Sequence, residues 1–406
     1  MVGLLEGIRV LDFTQVIAGP ACTRLMAELG ADVVKVELAP AGDYARGLPM
    51  VRDGRSAYFA QHNQGKRSLC LDLRRPAARA LVERLVEQAD VLVENFSPGA
   101  IARLGFGWER VHALNPRLVM CSISAFGQEG PLASLPGFDY IAQAYSGITS
   151  MIGDPDGPPA LTGFAVGDTG TGITALAAIN AALFARERGG GGRHLDISIL
   201  DFYFHAHEIG VEMASLGAWT PHRSGQHHGM VAPLGIFAAG DGYLYIVVLQ
   251  PMWPRLCAAM GRPELEHDPR FATAAARVTH KDTLNPIVQA WLAGLPDRAT
   301  ALAILEKARV PVAPVLSVAE AMAHPHLVGR ATVRERDDPV LGRFQVTGNP
   351  IRDLTGGDTR LPGRAPFLGE HNRAILSELA GLDAATLDAL ERDGTLASEP
   401  LPVSAA

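Results

Sequence analysis

The sequence lacks the features that mark secreted, membrane-spanning and metal-binding proteins. Its four cysteines are scattered with no CxxC pair, so we expect reduced, buried side chains rather than disulfides or metal ligands. No window approaches the roughly 18 uninterrupted apolar residues of a membrane span, and no basic region followed by an apolar run opens the chain. We therefore expect a cytoplasmic protein with no membrane partner and no bound metal.

Basic blocks are missing as well. The formal net charge is −7 over 406 residues, and no run of lysine and arginine is present to neutralise a nucleic-acid backbone. Nucleic acid is therefore not an expected partner, although local basic residues can hold a small phosphorylated ligand. Hydrophobic residues make up 48 % of the chain, which is enough for the cores of two or three domains.

The first half of the chain alternates short β-rich runs with helical stretches. Residues 8–13 and 32–37 predict strands on either side of a helix at 22–29, and residues 91–94 and 118–123 predict two more strands. These strands are nearly all apolar, which is typical of buried parallel strands. The pattern predicts βαβ units in a parallel sheet.

Changes of pattern divide the chain into four parts. Strand-like alternation over residues 195–199 closes a first domain at 1–200, and residues 201–230 have no clean period and are predicted to be a linker. The hairpin signal AAGDGYLYIVV begins a small domain at 231–325. Residues 326–406 are predicted to be a second linker followed by a C-terminal helical stretch that returns to the large domain.

Asp168 lies in the segment AVGDTGTGITA, directly before a predicted helix. The plain interpretation is a helix N-cap, since aspartate is among the commonest caps. A nucleophile is the alternative, because the helix dipole and free N–H groups would keep the carboxylate ionised. Two nearby glycines would let a ligand approach the backbone, and their N–H groups could stabilise an oxyanion. The residue pattern alone leaves both interpretations open.

The remaining motifs each have an ordinary structural explanation. A GxGxxA match at 170–175 lies far from the first βα turn and is weak evidence for a dinucleotide site, and HAHE at 205–208 has no known metal-ligand spacing. The loop RSGQHHGMVAP at 223–233 is either a mobile cover over a site or an interdomain linker. The basic segment NQGKRSLCLDLRRP at 63–76 is either the edge of a phosphate pocket or solvated surface.

A series of sequence blocks follows in order along almost the whole chain. They are GIRVLDFTQVIAGP, LGADVVKVE, NQGKRSLCLDL, VLVENFSPGAIARLGF, GFDYIAQAYSG, GDTGTG, AGDGYL and RAPFLGEHN. Together these blocks resemble the family III CoA-transferases, whose relatives include formyl-CoA, carnitine and dicarboxylate CoA-transferases and the α-methylacyl-CoA racemases. The resemblance implies an α/β fold, with a Rossmann-like large domain built from both chain ends plus a smaller α+β domain. It also implies that two subunits form an interlocked homodimer.

The resemblance also implies a mechanism in which Asp168 is the catalytic residue. The aspartate attacks a donor acyl-CoA to give a mixed anhydride and CoA thiolate, and the thiolate returns to form an aspartyl-CoA thioester. An acceptor carboxylate then repeats the cycle in reverse. The thioester energy stays in a covalent enzyme bond, so no ATP, metal or redox cofactor is expected beyond coenzyme A as a substrate.

Site residues follow from matching positions in the family. The expected CoA-binding residues are Lys66, Leu71, Arg74, Asn95, Arg103 and Leu104. The expected substrate-binding residues are Gln15, Val16 and Ala18 in the acyl pocket, together with Phe138, Asp139 and His228.

Departures from the family pattern narrow the expected activity. Racemases carry GHD where this chain has Gly137, Phe138 and Asp139, and Phe138 cannot accept a proton, so transfer is favoured over racemisation. Leu38 replaces an arginine that some relatives use for CoA, and the 223–233 loop replaces a glycine run of formyl-CoA transferases, which disfavours formyl or oxalate specificity.

The expected function is therefore CoA transfer, with succinyl-CoA as the donor and a dicarboxylate or hydroxy acid as the acceptor. His228 or Arg223 would contact a second carboxylate of that acid. An acyl-CoA racemase or epimerase and a non-catalytic acyl-CoA-binding protein are the alternatives.

Overall fold

The computed structural model describes residues 3–355 and 363–402. The strands in chain order are β1 Arg9–Asp12, β2 Asp32–Leu38, β3 Val51–Arg52, β4 Arg55–Ser56, β5 Arg67–Leu71, β6 Val91–Glu94, β7 Val119–Ser124, β8 Arg193–Ser198, β9 Leu234–Ala239, β10 Gly242–Val247, β11 Val312–Pro314, β12 Val333–Asp338 and β13 Gly342–Thr347. The helices are α1 Ala18–Glu28, α2 Ala57–His62, α3 Pro76–Val86, α4 Ala100–Arg103, α5 Trp108–Leu114, α6 Asp139–Tyr145, α7 Val166–Glu187, α8 Ile199–His205, α9 Gly210–Ser215, α10 Trp253–Ala259, α11 Ala274–Thr279, α12 Lys281–Ala293, α13 Arg298–Lys307, α14 Val318–Ala323, α15 Pro325–Gly329, α16 Asn372–Ala380 and α17 Ala384–Arg392.

The chain divides into two compact units. The first contains residues 1–146, 163–206 and 326–406, and the second contains residues 147–162 and 207–325. This division differs from the expected boundaries in three places. Of the expected linker, residues 201–206 belong to the first unit and residues 207–230 to the second. Residues 147–162, from within the expected first domain, also belong to the second unit. Among the described residues no helix has the length and apolar character needed to cross a membrane.

The first unit is built on an open parallel sheet. Its strands lie in the order β5-β2-β1-β6-β7-β8, and every adjacent pair is parallel. Strands β6 and β7 are buried along their whole length, since helices cover both faces and leave no solvated side. The α/β fold with parallel strands that the sequence predicts is thus what the described residues form.

Alternate residues of the central strands enter separate cores on the two faces of this sheet. Leu11, Leu92 and Met120 face a core completed by α3 and by the C-terminal helices α16 and α17. Their neighbours Val10 and Val93 face a second core with α1 and α7. This separation follows from the two-residue period of a strand. The chain end at 372–392 therefore packs on the same sheet as the first strand.

The second unit has its own core on a small antiparallel sheet. Strand β10 pairs with β9 on one side and with β11 on the other. Phe237 and Leu244 from this sheet pack with Trp253 of α10, Val288 of α12 and Leu305 of α13. All five side chains are almost fully buried, which accounts for an α+β unit with a core independent of the first.

Candidate active site

A pocket of about 280 Å³ opens at the carboxyl ends of the central strands of the first unit. Parallel sheets place ligands at this edge because the loops that follow neighbouring strands meet there. The loops after β1, β6 and β7 contribute most of the lining, and α7 adds Asp168. The lining residues are Gln15, Val16, Ile17, Ala18, Asn95, Phe96, Ser97, Ile123, Ser124, Ala125, Gly137, Phe138, Asp168 and Ile199.

The pocket brings together six of the residues that the sequence predicts for the site. They are Gln15, Val16, Ala18, Asn95, Phe138 and Asp168. They come from four separate segments of the chain, and the parallel sheet makes these segments neighbours. Asp168 is the one titratable side chain in the lining among the described residues. Chemistry in this pocket that requires a protein acid or base therefore depends on a single carboxyl group.

Asn95 fixes the loop between β1 and α1. Its side-chain oxygen accepts a hydrogen bond from the Gln15 N–H at 2.7 Å, and its amide group donates to the Gln15 carbonyl at 2.8 Å. The next residue, Val16, has a φ of 66° and donates its N–H to the Asp43 carboxylate at 3.1 Å. A β-branched residue in this left-handed region is strained, so these bonds hold the loop in a conformation it would not adopt alone.

Asp168 lies in the first turn of α7 and not at its N-cap. The helix begins at Val166, and the N-cap is Ala165, which makes no side-chain cap. The N-cap interpretation of Asp168 is therefore wrong. Since the side chain is not occupied in capping the helix, its carboxylate is directed to the pocket lining instead.

Asp139 and Tyr203 hold the first turn of α7. The Asp139 carboxylate accepts the Asp168 N–H at 2.7 Å and the Tyr203 hydroxyl at 2.8 Å. That hydroxyl in turn accepts the Gly167 N–H at 2.9 Å. Two of the N–H groups that a helix leaves unpaired at its amino end are thus satisfied by buried side chains. Asp139, expected to bind substrate, is buried and has a positioning role here.

The electrostatic environment of Asp168 differs from the sequence-based expectation. Burial raises the pKa of its carboxyl group from 3.8 to about 7, and the negative charge of Asp139 adds to the rise. The expectation that the helix dipole keeps this carboxylate ionised is therefore wrong in direction, because desolvation dominates. At neutral pH the group lies near its midpoint of ionisation.

The glycines near Asp168 lie in close contact with other parts of the protein. A Cβ on Gly167 would lie 2.2 Å from the Tyr203 ring, and one on Gly170 would lie 2.0 Å from the Phe202 ring. A Cβ on Gly172 would lie 2.7 Å from the Ala18 carbonyl, where α7 crosses α1. Close packing of helices accounts for all three glycines, so the expected approach of a ligand is not needed to explain them.

Two of the expected CoA-binding residues lie in the interior. Lys66 is fully buried, and its ammonium group donates to the Asp12 carboxylate at 2.8 Å and to the Thr23 hydroxyl at 2.7 Å. A contact with a CoA phosphate would require this ion pair to break. The side chain of Leu71 lies in the core under α3 and α16.

The other expected CoA-binding residues lie at or near the surface. Arg74 is exposed, and its guanidinium group already forms two hydrogen bonds to Asp72, at 2.7 and 2.9 Å. Arg103 is exposed at the end of α4, and Leu104 packs partly against the core. Asn95 is the only one of the six in the Asp168 pocket as the described residues form it.

His228 belongs to the second unit, where its ring nitrogen Nδ1 accepts the Met230 N–H at 3.1 Å.

Sequence reasoning missed two tyrosines of the first unit. Tyr203 was read as part of a segment without a clear period, and no pattern in DFYFHAHE indicated its role. The second is Tyr58, whose pKa is raised to about 12 mainly by burial and to a smaller extent by the negative charge of Asp168. The Tyr58 hydroxyl group therefore interacts electrostatically with the Asp168 carboxylate.

Comparison with known proteins identifies the family. The model of CoA-transferase family III matches residues 5–372. The chain belongs to this family. The relatives that it matches over nearly their whole length are CoA-transferases, and this chain is accordingly a CoA-transferase too.

Three relatives illustrate the range of named activities. The chain is 36 % identical to a formyl-CoA:oxalate CoA-transferase of Streptomyces avermitilis, over 98 % of this chain and 100 % of that one. It is 36 % identical to a succinyl-CoA–D-citramalate CoA-transferase of Chloroflexus aurantiacus, over 93 % and 94 %. It is 38 % identical to a succinyl-CoA:mesaconate CoA-transferase of Haloarcula marismortui, over 95 % and 98 %. Sequence identity therefore does not show which of the substrates in these names this chain uses.

A solved structure supports the same assignment of fold. A CaiB/BaiF family protein from Brucella suis superposes with a TM-score of 0.81 at 35 % identity, covering 93 % of this chain and all of that one. A structure of Rv3272 from Mycobacterium tuberculosis gives a TM-score of 0.80 at 28 % identity, covering 91 % and 98 %.

Proposed function

We propose that this enzyme transfers CoA from succinyl-CoA to a free dicarboxylic or hydroxy acid through covalent intermediates on Asp168. The observation that carries the proposal is the single titratable group in the pocket lining, a carboxyl with a pKa raised to about 7. A carboxylate that burial deprives of hydration is a stronger nucleophile than a solvated one. The succinyl-CoA donor is taken from the names of relatives from two organisms.

The first half-reaction begins when an oxygen of the Asp168 carboxylate attacks the thioester carbonyl. A C–O bond forms, the C–S bond breaks, and the products are an aspartyl–succinyl anhydride and CoA thiolate. The thiolate then attacks the aspartyl carbonyl, which releases succinate and leaves an aspartyl-CoA thioester. The acceptor carboxylate reverses these steps, so neither a metal nor a redox cofactor takes part and CoA is a substrate only.

The amino end of α1 supports stabilisation of the oxyanions in these steps. Ile17 and Ala18 line the pocket, and the N-cap Ile17 provides no side-chain acceptor for the first-turn N–H groups of the helix. Such free N–H groups and the helix dipole favour negative charge. The corresponding N–H groups of Gly167 and Asp168 are already bonded to Tyr203 and Asp139, so α1 is the better donor.

The lining of the pocket argues against racemisation. Moving a proton from one face of a carbon to the other uses two groups, one to remove it and one to return it. Asp168 with a pKa of about 7 could serve as one of them, but Phe138 stands in the pocket where racemases of this family carry histidine. The pocket is therefore better suited to a nucleophile than to a pair of acid–base groups.

The proposed assembly is an interlocked homodimer. Support comes from large apolar side chains that one chain leaves exposed on or next to α6, α7 and α8, at Phe138, Ile141, Tyr145, Phe184 and Phe204. Such a group of exposed aromatic residues commonly marks a surface that another subunit covers. A mass of one chain in light scattering at working concentrations would contradict the proposal.

A transfer assay tests the proposed function. Succinyl-CoA is incubated with a panel of mono-, di- and hydroxycarboxylic acids, and new acyl-CoA esters are detected by mass spectrometry. The Asp168→Asn variant should form none, whereas the control Asp241→Asn, in an exposed turn of the second unit, should match the wild type. Full activity of Asp168→Asn would contradict the proposal. Deuterium uptake at the α-carbon of a branched acyl-CoA without any acceptor acid would favour the racemase alternative.

A further inference from the structure

The second unit contains a polar pocket of its own, and it shares no lining residue with the Asp168 pocket. Its volume is about 610 Å³, within the range of sites that hold small organic ligands. Three segments of the second unit form it: the turn at 154–155, the loop at 222–227 and the amino end of α12 at 281–285. None of these residues takes part in the steps proposed at Asp168, and only Arg223 is expected from the sequence to contact a carboxylate of the acceptor acid.

Two cations in the pocket lack an ion-pair partner among the described residues. Arg223 donates through Nε to the Asp154 carbonyl at 3.2 Å and through a terminal nitrogen to the Ser150 carbonyl at 3.4 Å. These neutral carbonyls hold the guanidinium group in place without cancelling its charge. Lys281 is the first residue of α12, where the helix dipole adds to its positive field. Both features favour a carboxylate ligand.

Buried polar atoms without a partner add a second, independent indication. Asn285 is 9 % exposed and lines the pocket, and its side-chain oxygen has no hydrogen-bond partner among the described residues. The His227 Nε2 atom in the same lining is also buried without one. Burial and the nearby charge of Lys281 lower the pKa of His227, so the ring is neutral at pH 7 and offers a hydrogen bond without charge. Buried polar atoms are normally bonded, which points to a ligand that bonds them.

The carboxylates of the lining restrict the kind of ligand. Asp154 and Asp282 also face the pocket, and they would repel a multiply charged anion such as phosphate. A carboxylate can accept a hydrogen bond from a hydroxyl group, as can the Asn285 oxygen. No group of three histidine, cysteine or acidic side chains suited to a metal ion occurs in the described part of the chain, so the two histidines of the pocket, His222 and His227, are not explained by a metal.

We infer that this pocket binds a small hydroxycarboxylate, with its carboxylate on Arg223 and Lys281 and its hydroxyl group on Asn285. The cations and the acceptors are both needed for such a ligand, whereas a simple anion would use the cations alone. The inference goes beyond the proposed function, because it concerns binding by the second unit and needs no reaction at Asp168.

Calorimetry on the full-length protein without acyl-CoA tests the site, with malate, succinate and inorganic phosphate as probes. Malate should bind best, and Arg223→Gln and Lys281→Gln should each weaken its binding by about tenfold. Lys307→Gln, in α13 and outside the lining, is the matched control and should bind as the wild type does. Asn285→Ala should weaken the binding of malate and leave that of succinate unchanged.

Hydrogen exchange locates the ligand, because malate should protect peptides that cover residues 222–227 and 281–285. Phosphate binding as tight as that of malate would overturn the inference, and so would absence of malate binding or wild-type affinity in both Arg223→Gln and Lys281→Gln. The Asp168→Asn variant should still bind malate in this way while it loses transfer. Failure of this site and failure of the proposed function are therefore separate results.

Discussion

Two aspartates of the first unit have pKa values that are shifted in opposite directions. Asp12 at the end of β1 would have a raised pKa from burial alone, but Lys66 at 2.8 Å and the neighbouring Lys35 lower it below its usual value. Asp168 is half-buried and has no cation to pair with among the described residues. Desolvation and the nearby charge of Asp139 therefore raise its pKa to about 7. The comparison teaches that a partner cation can reverse the rise in pKa that desolvation alone gives a carboxyl group.

Removal of the Asp12 carboxylate should have the largest effect on stability. In Asp12→Ala the buried Lys66 ammonium loses its counterion, so we expect the free energy of unfolding to fall by about 3–5 kcal/mol. Urea titration measures this change. The control is Asp32→Ala, whose half-exposed ion pair with Arg67 should contribute less than about 1 kcal/mol. Equal losses in the two variants would contradict a special role for the buried pair.

Replacement of Asp168 by a neutral residue should stabilise the protein. The folded-state pKa of Asp168 is about 7 against 3.8 for an ordinary aspartate, so its ionised form disfavours folding. This cost is absent below about pH 4, grows between pH 4 and pH 7, and is constant above pH 7. Asp168→Asn should therefore gain about 1–3 kcal/mol at pH 8 and almost nothing at pH 4. A loss of stability at pH 8 would show that the carboxylate is paired.

Removal of the Tyr203 hydroxyl group, which holds the first turn of α7, should have a smaller effect on stability. Tyr203→Phe leaves the Gly167 N–H and one Asp139 oxygen without the tyrosine hydroxyl, which should cost about 1–2 kcal/mol of stability. We also expect kcat to fall by about tenfold with KM nearly unchanged, since only the positioning of Asp168 is affected. Tyr145→Phe is the control, because that exposed hydroxyl bonds to no described residue. A change in KM alone would contradict the positioning role.

Removal of the Asp139 charge next to Asp168 should have the smallest effect, a shift in the pH dependence of kcat/KM. The kcat/KM of the wild type should rise with pH to a plateau, with a midpoint near 7, because the ionised Asp168 carboxylate is the reactive form. Asp139→Asn removes a negative charge and retains an oxygen that can accept the Asp168 N–H. Its midpoint should lie lower by less than about one pH unit, as burial is the larger cause. An unchanged midpoint in this variant would contradict the contribution of Asp139. The control is Asp201→Asn, which removes an exposed carboxylate of α8 and should leave the midpoint unchanged.

The sequence was sufficient to predict the parallel sheet and part of the pocket. The apolar runs at residues 91–94 and 119–124 are buried strands. The loop after the first carries Asn95, and the loop after the second leads to Phe138, and both residues line the pocket. Their meeting follows from the geometry of parallel strands, for which the spacing of βαβ units is enough.

Long-range electrostatics could not be predicted in this way. The Lys66 side chain pairs with Asp12 at a separation of 54 residues, and Asp139 meets the turn of Asp168 at a separation of 29. A sequence motif gives neither the burial of a charge nor its partner, and both set the pKa. For the same reason Tyr203, which lies 36 residues after Gly167, was missed.

Covalent trapping on Asp168 is the most direct test of the central claim. The enzyme is incubated with succinyl-CoA in the absence of an acceptor, quenched and digested, and the peptides are analysed by mass spectrometry. We predict a hydroxylamine-sensitive CoA adduct on the peptide that contains Asp168, with none in Asp168→Asn. An adduct on another residue, or none at all while the enzyme transfers CoA, would contradict the claim that Asp168 is the nucleophile.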